Sequence, residues 1–106
     1  MGKHEVNKLE AKFAKELDMQ KCLQSGANIW KGDMRDDVFL VDLKSTVGKT
    51  QITVKRSDVE KLDGEAYDYI PSLIPAMLIS INGFDRMVIS VEDWKHYREL
   101  VRKERQ

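Results

Sequence analysis

The apolar run Val38-Phe39-Leu40-Val41 continues into Asp42-Leu43-Lys44, and no other segment limits the fold of this chain as much. Such a run reads as a strand buried on both faces, the pattern of a sheet covered by helices on either side. Carboxylates and ammonium groups are avoided in these places unless they are paired or bound to something. Side chains alternate along a strand, so Asp42 and Lys44 share a face with Val38 and Leu40. An acid and a base therefore stand together at the end of a core strand. A carboxylate so placed can hold a divalent cation, and a lysine so placed can orient a water or offset charge developing on a phosphate. The plainer alternative is an internal ion pair that ends the strand.

A second carboxylate out of place lies in the first segment. From Lys3 to about Asp18 the chain is rich in Lys, Glu, Ala and Leu, and Val6, Leu9, Phe13 and Leu17 recur at helical spacing. At about 100° per residue, Glu10 falls on the arc those residues define, while Glu5, Lys8, Lys12, Lys15 and Glu16 point elsewhere. A carboxylate on a buried helix face costs stability unless it has a partner, and a cation shared with Asp33 and Asp42 would supply one. The alternative is a Glu at the edge of the stripe that reaches water. Of the acids before the strand, Asp33 follows Gly32 and lies far enough upstream for a hairpin to bring it beside Asp42. Asp36 and Asp37 then read as turn residues, with Asp37 as the fallback ligand.

Taken in order, the chain offers a helix with an inward Glu, a Gly-Asp element, an apolar strand ending in Asp-x-Lys, then a strand, a helix and two more strands. This predicts an α/β fold with a mixed central sheet of four to five strands flanked by helices. In this order, with Glu10-Ala11-Lys12-Phe13-Ala14-Lys15-Glu16-Leu17, Gly32-Asp33 and Val41-Asp42-Leu43-Lys44-Ser45, the chain resembles the PD-(D/E)XK nuclease superfamily. Within it, the resemblance is to the small archaeal and phage Holliday junction resolvases. It runs over nearly the whole chain in element order, and its specific motifs lie between residues 10 and 45. Two departures stand out: the second acid is Asp42 where the family more often has Glu, and Asp33, Asp36 and Asp37 compete for the motif aspartate.

The resemblance implies a restriction-endonuclease-like core and a metal-dependent endodeoxyribonuclease acting on DNA, in particular on branched or four-way junctions, as a homodimer. It implies that Glu10, Asp33 and Asp42 bind Mg²⁺ or Mn²⁺ and that Lys44 positions the attacking water or stabilises developing charge. Lys3, Ser45, Thr46, Lys49 and Lys55 are the residues expected to touch the DNA backbone. A catalytically inactive DNA-binding module and a small protein-interaction domain, its Asp-x-Lys a structural ion pair, are the other readings.

With 106 residues, 42% of them hydrophobic and 34% charged, the chain is expected to form one domain over residues 1–106 with a heavily charged surface. Its formal net charge of zero does not favour nucleic acid. Lys3, Lys8, Lys12, Lys15, Lys31, Lys49, Lys55 and Arg56 flank the acidic site in sequence, and on one face they would form a basic rim around it. No apolar run approaches the roughly 20 residues of a membrane span, and no apolar signal core opens the chain, so a cytosolic protein without membrane contact is expected. Cys22, the single cysteine, reads as a reduced, partly buried residue near the end of the first helix.

Val47-Gly48-Lys49-Thr50 invites a P-loop reading and fails it, because Leu43 stands where the first Gly is needed. Gly48 reads instead as a hairpin turn into a short strand, Gln51-Ile52-Thr53-Val54. Ser57-Asp58-Val59-Glu60 has the form of a capping box, opening a second helix with Val59, Leu62, Ala66 and Ile70 inward and Pro71 and Pro75 beyond it. Ala76 to Ile81 is a continuous apolar strand, Asn82-Gly83 a hairpin, and Met87 to Val91 its return strand. A last helix near Glu92 to Lys103 aligns Trp94, Tyr97, Arg98 and Val101, a stripe suited to the core or to a subunit contact, with Phe84 a further contact. His4 and His96 have no partner at ligand spacing and read as surface residues.

Overall fold

The computed structural model describes residues 3–22 and 32–106, with side chains from Lys8 onward. The elements, in order, are α1 (Lys3–Glu16), β1 (Gln20–Lys21), β2 (Met34–Arg35), β3 (Phe39–Thr46), α2 (Arg56–Tyr67), β4 (Ile74–Ile81), β5 (Phe84–Val88) and α3 (Val91–Glu104). The fold is α/β, with a five-stranded sheet in the order β1-β2-β3-β4-β5. Among the described residues only β3 and β4 are parallel, joined through α2; the other neighbours are antiparallel.

β3 is longer than its apolar run. It pairs with β4 along its whole length, from Phe39↔Ile74 to Thr46↔Ile81, so backbone bonding carries the strand through Asp42 and Lys44. Alternation then separates two cores. Phe13 and Ala14 of α1 pack on Met34, Val41, Ala76 and Leu78 on one face, while Leu62 and Ala66 of α2 pack on Leu40, Leu73 and Met77 on the other. Met34, Leu40 and Val41 are fully buried, each worth about 1.5–3 kcal/mol of apolar transfer.

Asp36 closes the β2–β3 hairpin. Its Oδ1 accepts the backbone N–H of Val38 at 2.8 Å and of Phe39 at 2.6 Å, an Asx-type turn. At the other hairpin, Asn82 and Gly83 both adopt positive φ (47° and 91°), the conformation that matches the twist of a two-residue turn.

Several expected elements differ. No strand forms at 51–54: the more apolar β4 occupies the place beside β3, and the 47–55 connection runs as coil. Gly48 keeps its turn conformation (φ 77°), tied by its N–H to Asn82 Oδ1 at 3.2 Å, but it opens no hairpin. The capping box does not form either; α2 starts one residue earlier with Lys55 as an N-cap lacking a side-chain bond, and Glu60 pairs with Arg56 instead. α2 also stops at Tyr67, so Ile70 lies outside the helix and is 98% exposed.

Pro75 sits inside β4, not beyond a helix end. The Ile74 N–H points to β3, donating to the Val38 carbonyl at 2.8 Å, so the Pro75 nitrogen faces the β5 side. The β5 ladder begins only at Met77, and no bond is lost. Cys22 follows β1, not α1, and packs half-buried beside the α2 core with its thiol pushed upward by burial. α3 begins on a Ser90 cap that accepts the Asp93 N–H at 3.0 Å, and none of its residues is buried. Its aromatic stripe is therefore not core: Trp94 is 53% exposed, and Tyr97 touches the sheet through Phe39.

Candidate active site

Carboxylates from three segments gather at the open edge of β3. β2 stops at Met34, whose partner is Val41, so from Asp42 onward no strand flanks that edge among the described residues. Gly32 and Asp33 bend across it. The Asp33 N–H donates to the Val41 carbonyl at 3.0 Å, and Asp33 Oδ2 accepts the Leu43 N–H at 2.6 Å. The side chain of Asp33 thus takes the bond a continued β2 would have made, and it brings a carboxylate beside Asp42. Gly32 is needed for the bend: its φ is +84°, and an added Cβ would lie 2.6 Å from Leu40 Cδ1.

Glu10 reaches the same place from α1. Its carboxyl lies beside that of Asp33, a contact that raises Glu10 and lowers Asp33. Lys21 of β1 stands 3.9 Å from Glu10 Oε2. Burial first, then the Asp33 charge, raise Glu10 above the usual carboxylate range. Burial also raises Asp33, outweighing the Leu43 N–H and the Lys44 charge. Asp42 moves furthest: burial, then Asp33, then Glu65 push it up to about 6 against the pull of Lys44 and Lys61. Three acids above their ordinary range in one place, each raised first by burial, mark a site where charged carboxylates are held away from water.

Lys44 is on the same face of β3 as Asp42, and its charge acts on both Asp42 and Asp33. Its Nζ also lies 3.3 Å from Asp58 Oδ2 on α2, and that bond draws the Asp58 carboxyl below its usual range. Among the described residues, no three or more His, Cys, Asp or Glu side chains are arranged to hold a metal ion. Mg²⁺ does not require such a cage, since it is commonly held by one or two carboxylates, waters and substrate phosphates.

α2 supplies members of the site that the sequence reading missed. Asp58, Lys61 and Glu65 lie three and four residues apart on one helical face, opposite Lys44 and Asp42. Glu65 is the one charged residue that is buried among those described. It follows Leu62 by three positions and precedes Ala66, and the face argument that singled out Glu10 applies to it equally.

The proposed backbone contacts are scattered. Alternation places Thr46 with Asp42 and Lys44, but Ser45 on the opposite face of β3. Lys49 and Lys55 are exposed on the 47–55 connection, and Lys8, Lys12 and Lys15 are exposed on α1. Lys31 and the side chain of Lys3 lie outside the described residues. No helix among those described is long and apolar enough to cross a membrane. Compared with known proteins, the chain matches no family model, no curated protein sequence and no solved structure.

Proposed function

We propose that the chain is a metal-dependent endodeoxyribonuclease of the PD-(D/E)XK kind, acting on branched DNA. The observation that carries this reading is Asp33, fixed at the open edge of β3 by the Leu43 N–H, with the Glu10 carboxyl beside it from α1 and the Asp42 carboxyl coupled to it by charge from β3. The donor set fits a hard divalent cation, since every side-chain ligand is a carboxylate oxygen. Glu10, Asp33 and Asp42 would hold Mg²⁺ or Mn²⁺, whose chemistry there is to acidify a water and polarise the scissile phosphate.

The chain's own contribution is positional. The Leu43 N–H fixes the Asp33 carboxylate, and β3 fixes Asp42 and Lys44 on one face. Lys44 supplies positive charge against the phosphate oxygens as negative charge builds on them, with Asp58 holding the ammonium in place. Paired sites in a homodimer match the two-fold symmetry of a four-way junction. One observation favours the reading as an inactive binding or interaction domain: the Lys44–Asp58 pair is a complete ion pair without any substrate.

Cleavage of a labelled four-way junction decides between them, beside matched linear duplex and single strand, in Mg²⁺ and in Mn²⁺. Paired nicks in the junction, lost with chelator and in both Asp42→Ala and Lys44→Ala, are expected. Equal cleavage of all substrates keeps the nuclease and removes the junction preference. Binding without cleavage of any substrate leaves a binding module.

A further inference from the structure

α3 belongs neither to the two cores nor to the carboxyl site, yet its charges are sorted. Lys95, Arg98, Arg102 and Arg105 follow one another at intervals of three, four and three residues. At about 100° per residue they fall within an arc of about 80°, and Glu92, Asp93, Glu99 and Glu104 all project outside it. A chain with a formal net charge of zero thus carries a cationic stripe on its last helix. The stripe faces solvent. Tyr97, which meets Phe39 with ring centroids 6.2 Å apart, points about a third of a turn away from it. Lys95 and Arg105 are exposed, and the Arg102 side chain is 57% exposed.

Arg98 is the most ordered member of the stripe. Its guanidinium carbon lies 4.6 Å from the centre of the Trp94 ring, and its Nε is shut off from solvent without a hydrogen bond among the described residues. Glu99 Oε1 stands 3.8 Å from that nitrogen, too far to accept from it, and takes Arg102 Nη1 at 2.8 Å instead. A guanidinium held against an indole gives up little freedom when its outer amino groups meet an oxyanion, and its fork suits a phosphate. The exposed Arg102–Glu99 pair contributes little and is readily exchanged for one.

From Lys95 to Arg105 the stripe rises about 15 Å. Duplex DNA offers one phosphate per about 1.7 Å of its axis, so a stripe of that length meets several. A bilayer would call for apolar residues gathered on a face of their own. Here Val91 lies within the cationic arc, and Trp94 and Val101 border it. We propose that the Lys95-Arg98-Arg102-Arg105 face of α3, with Trp94 as the platform for Arg98, grips the phosphate backbone of a duplex DNA arm. Through Tyr97 and Phe39 the stripe is anchored to the strand that bears Asp42 and Lys44. The proposal rests on the DNA-acting reading of the chain and needs no cation. It places on one element the backbone contacts that Lys49, Lys55, Ser45 and Thr46 leave scattered.

The test is the salt dependence of binding of the full chain to a labelled four-way junction and to linear duplex, read by fluorescence anisotropy in EDTA so that nothing is cut. Four stripe cations set an expected slope of log K against log salt of about −4. Lys95→Gln combined with Arg102→Gln, two exposed helix positions that tolerate Gln, is expected to make the slope shallower by about 2 on both substrates. Lys103→Gln, one residue off the stripe, is expected to leave it unchanged. An unchanged slope in the double variant, or an equal loss per charge in Lys103→Gln, overturns the stripe; junction cleavage by wild type in Mg²⁺ then leaves the nuclease reading standing alone. Binding through the stripe without cleavage in Mg²⁺ or Mn²⁺ upholds the stripe and removes the nuclease. Binding of wild type to phosphatidylserine–phosphatidylcholine vesicles and not to DNA assigns the face to a membrane surface and overturns the proposal. Far-UV circular dichroism checks that the variants fold, and a wild-type slope shallower than about −2 overturns the stripe whatever they do.

Discussion

Asp33 Oδ2 accepts the Leu43 N–H at 2.6 Å, so a carboxylate and not a strand completes the hydrogen bonding of β3 where β2 ends. The same atom group is in contact with Glu10 and raises the Asp42 carboxyl, which couples the fold of the edge to the charge of the site. Two substitutions separate these effects. Asp33→Ala removes the acceptor and is expected to destabilise the chain by about 1–3 kcal/mol. Asp33→Asn keeps an acceptor while removing one of the crowded charges, and its stability is expected to equal or exceed that of wild type. Urea unfolding of both at neutral pH checks this; equal losses in the two would mean that the Leu43 bond contributes nothing.

Stability should fall as pH rises through the weakly acidic range. The Asp42 carboxyl titrates at about 6 in the folded chain, against about 3.9 unfolded. The folded state therefore keeps a proton that the unfolded chain has released. Its contribution is complete below about pH 4 and is lost as pH climbs through about 6. Asp42 is partly in contact with solvent, which screens the effect to roughly 1–2 kcal/mol. Glu10 and Asp33 are raised as well and act in the same direction. Melting temperature measured across this window in metal-free buffer is expected to decline for wild type and to decline less for Asp42→Asn. A rise with pH in wild type would contradict the crowding.

How much of this was legible in the sequence follows from the range of the interactions. The faces of α1 and β3 were readable because local periodicity dictates them, and the Asn82-Gly83 turn because two adjacent positive-φ residues suit little else. Asp36 as a turn residue was likewise local. The length of β2 was not, since a strand of two residues carries no pattern, and the role of Asp33 as the acceptor for Leu43 depends on where β2 stops. The missing 51–54 strand and the longer β3 reflect competition for sheet positions between distant segments. Glu65 is legible in principle, from its place between Leu62 and Ala66 on an otherwise apolar helix face. The stripe on α3 reads the same in sequence whether its own chain covers it or not, so the exposure of Trp94 and Val101 had to be seen in the fold.

Gly32 joins backbone conformation to site geometry. An alanine there would face both a φ of +84° and Leu40 Cδ1 and Cγ at 2.6 and 2.8 Å, and Leu40 is fully buried and cannot withdraw freely. Gly32→Ala is expected to cost about 2–4 kcal/mol, from overpacking together with the left-handed backbone. Adding Leu40→Ala to Gly32→Ala removes the clash and leaves the backbone strain. The double variant is therefore expected to be more stable than the sum of the two single losses, by about 1 kcal/mol or more. Additive losses in denaturant unfolding would mean that Gly32 is required for its conformation alone.

Lys44 has two partners to choose between, Asp58 on α2 and the charge that builds on a substrate phosphate, and kinetics distinguish a catalytic role from a structural one. If the ammonium acts on the phosphate, Lys44→Ala lowers kcat by about 100-fold or more with a smaller change in KM. Asp58→Asn then acts only on the placement of Lys44 and changes kcat by less than about tenfold. Lys44→Arg keeps the charge but replaces a compact ammonium with a planar fork, and it is expected to recover only part of the loss. If Lys44 serves only to pair with Asp58, substituting either residue has the same slight effect on unfolding, because an exposed pair contributes little, and kcat does not separate them. Single-turnover cleavage of the four-way junction by the three variants, each at saturating Mg²⁺, reads the difference directly.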